Sequence, residues 1–149
     1  MNKEQKLEAI EKAMEFTGEN PEKGTRANIY IINEKCDDEV RKFLIDLMHD
    51  SNIGGTMDLN YEITAKACEL FCDIESIKDL EDEENACEAE VASVYTADRL
   101  AYLNNSNEVE ISETMKEYDC EDISTGCAIW YDNMVRQAYE EIKNWILKD

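Results

Sequence analysis

Residues 124–147, STGCAIWYDNMVRQAYEEIKNWIL, carry the hydrophobic pattern that decides the fold. Their apolar side chains recur three and four positions apart, which predicts one long α-helix. Because these side chains cover more than one stripe, the helix is expected to be either central in the fold or shared with a partner chain. Trp130, Tyr139 and Trp145 are the candidate core or dimer contacts.

The same periodicity predicts further helices toward the N-terminus. They cover residues 2–17, about 37–49, about 58–77 and about 86–103, and a short amphipathic segment spans residues 111–118. Asp37 or Asp38 is expected to cap the second helix, and Asp58 or Asn60 the third. Residues 79–84 are predicted to form either a charged bend or a continuation of the third helix.

These elements predict a mainly α fold, a compact domain of five to six helices. Residues 27–33 are rich in β-branched and aromatic side chains, which predicts a short strand or hairpin or, alternatively, a hydrophobic lead into the next helix. A length of 149 residues predicts a single domain over 1–149. Within it, residues 1–56 are near neutral, whereas residues 57–149 form an acidic helical portion.

The charge of the chain is strongly unbalanced, since 36 acidic residues face 15 basic ones and the formal net charge is −21. Such a chain repels nucleic acid and anionic membranes, which excludes direct binding to either as a first hypothesis. Two segments hold 15 of these 21 charges: residues 69–90, the first acidic block, and residues 107–122, the second acidic block. This concentration predicts a negative surface of defined shape.

The spacing of the acids suggests what that surface imitates. Carboxylates at i and i+4 on a helix lie about 6 Å apart, close to the separation of successive phosphates on a nucleic-acid strand. Such pairs are Glu69/Asp73, Glu75/Asp79, Glu84/Glu88 and Glu113/Glu117. The predicted partner-binding residues are Glu69, Asp73, Glu75, Asp79, Glu81, Asp82, Glu83, Glu84, Glu88, Glu108, Glu110, Glu113 and Glu117. The alternative interpretation is a solvated acidic face without a partner.

The cysteines predict buried thiols in preference to a metal site. They are Cys36, Cys68, Cys72, Cys87, Cys120 and Cys127, and no C-x-x-C pair occurs among them. A zinc site built from these and His49 is the less favoured alternative, because the paired knuckles typical of zinc are missing. The acid run of residues 79–86 lacks the glycine of a calcium-binding loop. No metal and no cofactor are therefore expected.

Sequence motifs give no support to an enzyme. Walker A, G-x-G-x-x-G, G-x-S-x-G and H-E-x-x-H motifs are all absent. The single histidine, His49, ends a helix with an apolar stripe, where it is expected to interact with the helix dipole. The N-terminal residues are not followed by an apolar segment typical of a signal peptide, and no run of 18 apolar residues occurs, so we expect a cytoplasmic protein.

The second half of the chain resembles a known family. Residues 90–102, EVASVYTADRLAY, an acidic connection, and then residues 129–134, IWYDNM, and 139–142, YEEI, resemble small acidic phage antirestriction proteins of the Ocr type. The resemblance covers about residues 85–145. This chain differs from that family in its nearly balanced C-terminal end and its longer near-neutral N-terminal portion.

The resemblance implies a helical dimer whose negative surface imitates B-form DNA and occupies the DNA-binding cleft of a host defence complex. The expected function is therefore a DNA-mimic inhibitor, antirestriction or anti-CRISPR, acting in the host cytoplasm on a basic DNA-binding protein. The alternative hypothesis is an acidic helical adaptor or an antitoxin-like module that binds a protein partner through its apolar C-terminal helix, without mimicry of DNA.

Overall fold

The computed structural model describes residues 1–18, 34–50, 57–82 and 107–148, except for the side chains of residues 14–18, 57–58 and 72–73. The helices in these ranges are α1 (Lys3–Gly18), α2 (Asp38–Met48), α3 (Met57–Glu69), α4 (Ile77–Asp82), α5 (Glu108–Glu117) and α6 (Ile123–Leu147), with a 3-10 turn at Leu70–Asp73. These ranges contain no strand, and the predicted mainly α fold is confirmed. The strand predicted at residues 27–33 and the helix predicted at residues 86–103 lie outside them.

Helix α6 is the central element, and it packs most extensively against α3 and α5 and also touches α1 and α4. Its inward side chains are buried, and they include Trp130, Val135, Tyr139, Ile142 and Ile146. The ring of Tyr139 stacks on that of Phe71, with centroids 4.6 Å apart. Most of the apolar side chains of this helix are thus buried within the same chain.

The C-terminal end of α6 is held by α1 and α2. Lys6 of α1 is only 6% exposed, and its ammonium donates hydrogen bonds to the carbonyl oxygens of Trp145 and Lys148, both at 3.0 Å. The same ammonium lies 5.1 Å from the ring centroid of Trp145, and Phe43 of α2 stacks on that ring at 4.6 Å. A buried cation here satisfies carbonyls that have no partner within the helix and complements the negative end of its dipole.

Helices α5 and α6 form a hairpin that begins with a Schellman motif at the end of α5. The backbone N–H of Cys120 donates to the carbonyl of Met115 (2.8 Å), and that of Asp119 donates to the carbonyl of Lys116 (3.4 Å). Asp119 occupies the left-handed region with φ of 53°, a position that glycine usually fills.

The hairpin continues with a side-chain cap on α6. Asp122 accepts hydrogen bonds from the backbone N–H of Ser124 (3.3 Å) and from the hydroxyl of Thr125 (3.1 Å). One turn later, Gly126 faces Met115 of α5 so closely that a Cβ atom there would overlap Cγ of Met115 and lie 3.1 Å from its sulfur. The close approach of the two helices therefore depends on a residue without a side chain.

The predicted single helix over residues 58–77 is wrong. Helix α3 ends at Glu69, the 3-10 turn follows, and Ile74 is extended (φ −89°, ψ 114°) before α4 begins at Ile77. Ser76 caps the N-terminus of α4, because its hydroxyl accepts a hydrogen bond from the N–H of Asp79 (3.1 Å). The break places Phe71, Ile74 and Leu80 together in the core, which a continuous helix would not do. Residues 79–82 therefore belong to a separate helix.

The expected caps of α2 and α3 also need correction. Asp37 occupies the N-cap position of α2, but its side chain makes no capping hydrogen bond. Helix α3 begins at Met57, before both predicted caps. Asn60 lies buried inside α3, and its amide donates to the carbonyl of Asp50 (2.7 Å), so it ties α3 to the end of α2. His49 ends α2, and its Nδ1 lies 2.7 Å from the carbonyl oxygen of Ile45.

Candidate functional site

The described part of the first acidic block presents its carboxylates to solvent. The acids of α4 and the preceding connection are exposed, namely Glu75, Asp79, Glu81 and Asp82. Leu80 is 0% exposed and anchors this short helix against α1 and α6. Glu69 is also exposed, and it pairs with Lys66 at 3.5 Å. The side chain of Asp73 and all of Glu83, Glu84 and Glu88 lie outside the part of the chain that the structure describes.

The second acidic block lies on α5 and the turn that follows it. Ile111 and Thr114 are buried, Met115 is half-buried, and these residues hold the inner side of α5 against the rest of the protein. The exposed acids are Glu108, Glu110, Glu113 and Glu117 on the helix and Asp119, Glu121 and Asp122 in the turn. Asp119 and Glu121 are missing from the predicted site, although the charge of the block itself pointed to them.

Some exposed acids of the protein are held in ion pairs, whereas others, such as Glu140 and Glu141 outside the blocks, have none in the described ranges. Glu8 pairs with Lys12, Asp38 with Arg41 and Asp132 with Arg136, at distances from 2.7 to 3.1 Å. Within the described ranges, ten exposed acids of the blocks make no ion pair, namely Glu75, Asp79, Glu81, Asp82, Glu108, Glu110, Glu113, Glu117, Asp119 and Glu121. Their charges are therefore available to a cationic partner.

The predicted i, i+4 rows are only partly formed. Glu69 ends α3 and Asp73 lies in the 3-10 turn, while Glu75 precedes the helix that contains Asp79, so neither of these two pairs shares one α-helix. The expectation of a phosphate-like row is wrong for both, because the chain leaves the α-helical path between residues 70 and 76. The pair Glu84/Glu88 lies outside the described residues.

On α5 the expected row is present and longer than predicted. Glu113 and Glu117 share this helix, and at about 100° per residue Glu110 falls within about 60° of both. With a rise of about 1.5 Å per residue, the three carboxylates follow one another at about 4.5 and 6 Å along the helix axis. Glu110, Glu113 and Glu117 thus form a solvent-facing stripe of three negative charges on one helix.

The aromatic residues predicted as core or dimer contacts lie within the fold. Trp130 and Tyr139 are buried, and Trp145 is partly buried in its stack with Phe43. Each is thus used in the packing of this chain.

Two of the described cysteines, Cys36 and Cys127, lie in surroundings that favour the protonated thiol. Cys68 and Cys127 are buried, and Cys36 and Cys120 are half-buried. Burial, and to a smaller extent the charge of Asp37, raises the pKa of Cys36. Burial, with a smaller effect of Asp122, raises the pKa of Cys127. A raised pKa disfavours the thiolate, which is the form that attacks substrates and binds metals.

Neither a metal centre nor a membrane-spanning element is found in the described ranges. They contain no group of three or more His, Cys, Asp or Glu side chains placed to hold an ion. Among the same residues no helix is long and apolar enough to cross a bilayer. A shallow groove of about 230 Å³ lies between α1 and the start of α2, where Lys12, Lys35 and Cys36 line it. The raised pKa of its thiol makes this groove a poor nucleophilic site.

Comparison with known proteins gave no relative: no protein-family model, no curated protein and no solved structure matches this chain.

Proposed function

We propose that this protein is a DNA mimic that inhibits a DNA-binding host defence enzyme, of the restriction or CRISPR kind, by occupying its basic cleft. The observation that carries the proposal is the set of ten exposed block carboxylates without an ion pair. Most of these carboxylates lie on helices that a buried side chain anchors in the core: Leu80 anchors α4 and Ile111 anchors α5. The backbone that carries the carboxylates is therefore in place before a partner binds. Preorganised charges lose less entropy on binding than charges on mobile segments.

The proposed mechanism is competition for the cations that normally hold phosphates. Lysine and arginine side chains of the cleft pair with the carboxylate stripe of Glu110, Glu113 and Glu117 and with the acids of α4. Pairing releases counterions, as DNA binding does, so the affinity falls steeply with salt. The sequence resemblance to small acidic antirestriction proteins of the Ocr type points to the same function, and the acidic connection is part of that resemblance.

The competing hypothesis is an adaptor that binds its partner through α6. Burial of Val135, Tyr139 and Ile142 within this chain leaves that helix little apolar surface for a partner. An adaptor of this kind would lose function through Trp145→Ala and would tolerate reversal of the block acids.

The test is displacement of DNA from purified enzymes. A fluorescent duplex is bound to a multisubunit restriction enzyme or to a guide-loaded CRISPR nuclease, and its anisotropy is followed as the protein is added. The wild-type protein is expected to displace the duplex, with an apparent affinity that falls at least about tenfold between roughly 50 and 200 mM salt. Failure to displace DNA from either enzyme, or an affinity insensitive to salt, would overturn the proposal.

A matched pair of variants separates ordered mimicry from bulk charge. Glu113→Lys/Glu117→Lys reverses two acids of the stripe, whereas Glu140→Lys/Glu141→Lys reverses two exposed acids of α6 outside the blocks. Both variants change the net charge by the same amount. We expect the first to abolish displacement and the second to reduce it only slightly. If both variants lost the same amount of displacement activity, net charge alone would explain DNA displacement, which contradicts a surface of defined shape.

A further inference from the structure

Two large apolar side chains are exposed at the turn of the α5–α6 hairpin. Tyr118 is 50% and Ile123 is 41% exposed, and they stand at the last turn of α5 and the first residue of α6. The other apolar residues of the two helices are buried or half-buried, except Val109 at the opposite end of α5, which is 67% exposed. An aromatic and an aliphatic side chain thus share one end of the hairpin, residues 118–123, which we call the hairpin tip.

Exposed acids neighbour these two side chains along the chain. Glu117, Asp119, Glu121 and Asp122 are exposed, against one adjacent exposed base, Lys116, in the last turn of α5. Among these four side chains, only that of Asp122 makes a hydrogen bond within the described ranges, as the cap of α6. The charges of Glu117 and Asp119 lie at the C-terminal end of α5, where the helix dipole disfavours negative groups. These two acids therefore interact unfavourably with the helix dipole. A cationic partner would offset this unfavourable interaction for both carboxylates.

We propose that the hairpin tip docks an arginine-rich segment of a basic protein; this inference rests on the proposed function and names the residues that would anchor it. A guanidinium can stack on the exposed ring of Tyr118 while it pairs bidentately with a neighbouring carboxylate. Its methylene stem can cover Ile123. Lysine offers neither the planar fork nor the same stacking, so the tip favours arginine over lysine.

A second copy of this chain fits the tip poorly as an occupant. A symmetric contact would bring two sets of four carboxylates together, and their repulsion would oppose association. A purely apolar partner would desolvate the same acids without pairing them, which is unfavourable. Charge complementarity therefore selects a basic partner.

The inference is tested with two synthetic peptides of equal charge, nona-arginine and nona-lysine, each labelled with fluorescein. Binding to the full-length protein is measured by anisotropy at about 0.15 M salt, where weak surface attraction is largely screened. We expect the wild-type protein to bind the arginine peptide about fivefold more tightly than the lysine peptide. Tyr118→Ala is expected to remove this preference, and Tyr118→Phe to retain most of it, because the phenylalanine ring still stacks.

Val109→Ala is the matched control, since Val109 is also exposed and also lies between two exposed acids, Glu108 and Glu110. It is expected to leave the arginine preference unchanged. Equal affinity of the wild-type protein for both peptides would overturn the inference, as would equal effects of Tyr118→Ala and Val109→Ala. A dimer that Tyr118→Ala dissociates would overturn it too, because the tip would then bind a second copy.

These outcomes are distinguishable from failure of the proposed function. If the wild-type protein displaces DNA from a defence enzyme but does not discriminate between the peptides, DNA mimicry stands and the hairpin tip is not its anchor. If the peptides are discriminated and no DNA is displaced, the tip binds arginine-rich segments in some other role and the proposed function fails.

Discussion

Replacement of Gly126 by alanine tests the packing of the α5–α6 hairpin, which positions the second acidic block. A methyl group at this position would overlap Cγ of Met115 and lie 3.1 Å from its sulfur. Accommodating it requires a shift of the methionine side chain or a small separation of the two helices.

Two opposing effects set the size of the change. Extra methyl groups in a packed interior cost roughly 1–3 kcal/mol. Alanine in a helix interior is more stable than glycine by about 1 kcal/mol. Methionine is flexible and can absorb part of the overlap, so we expect Gly126→Ala to lower the free energy of unfolding by about 1 kcal/mol.

The sign of this effect is expected to reverse when Met115 is removed. In a Met115→Ala background the overlap is removed, the added methyl group meets Cγ2 of Ile111 at an ordinary contact distance of 3.8 Å, and only the helix-propensity gain of about 0.5–1 kcal/mol remains. The four proteins of this cycle can be compared by urea denaturation followed by circular dichroism. With an m-value of about 2 kcal/mol/M, each 1 kcal/mol moves the midpoint by about 0.5 M.

Gln137→Ala provides the control, because Gln137 is exposed on α6 and is remote in sequence from the crossing. Its effect should add to that of Met115→Ala to within about 0.5 kcal/mol. If Gly126→Ala stabilises the wild-type protein, and its effect is the same with and without Met115, the proposed contact does not limit the approach of the helices.

Further predictions concern the cap, the buried lysine and a buried thiol. Asp122→Ala should lower the free energy of unfolding by about 1 kcal/mol through the lost cap of α6, whereas Asp37→Ala should change it by only a few tenths; equal urea midpoints would contradict this. Lys6→Met should cost about 2 kcal/mol in the same assay, because two carbonyls at the end of α6 lose their donor; an unchanged midpoint would show that water replaces it. Burial raises the pKa of Cys127, so on raising the pH the unfolded state loses this proton before the folded state does. Stability should therefore fall as the pH rises above about 9, and the fall should be smaller in Cys127→Ala when urea midpoints at pH 8 and 10 are compared.

The candidate site was predictable from the sequence in its charge but not in its arrangement. The two acidic blocks are visible in the sequence, and the structure places the described acids at the surface. The phosphate-like spacing of Glu75 and Asp79 was not predictable, because it depended on where a helix ends. The hairpin tip was missed for a similar reason: Tyr118 continues the apolar spacing of Ile111 and Met115, and only the tertiary structure shows that it follows the end of α5 and stays half exposed.

The sequence alone determined the helical class and the position of its dominant helix, since an apolar pattern with a period near 3.6 persists over residues 124–147. It also determined the extent of α2 to within a residue or two, because apolar positions and flanking breakers agree there. Only the tertiary structure decided the break between α3 and α4. Ile74 and Ile77 fit a continuous helix by spacing, yet the chain turns so that Phe71, Ile74 and Leu80 are buried together. Likewise, the sequence identifies Gly126 only as a weak helix former. Its role in the close approach of α5 and α6 follows from Met115 of α5, which occupies the space that a side chain at position 126 would need. Local periodicity reports which face of a helix is apolar, whereas the choice of neighbour depends on packing between distant segments.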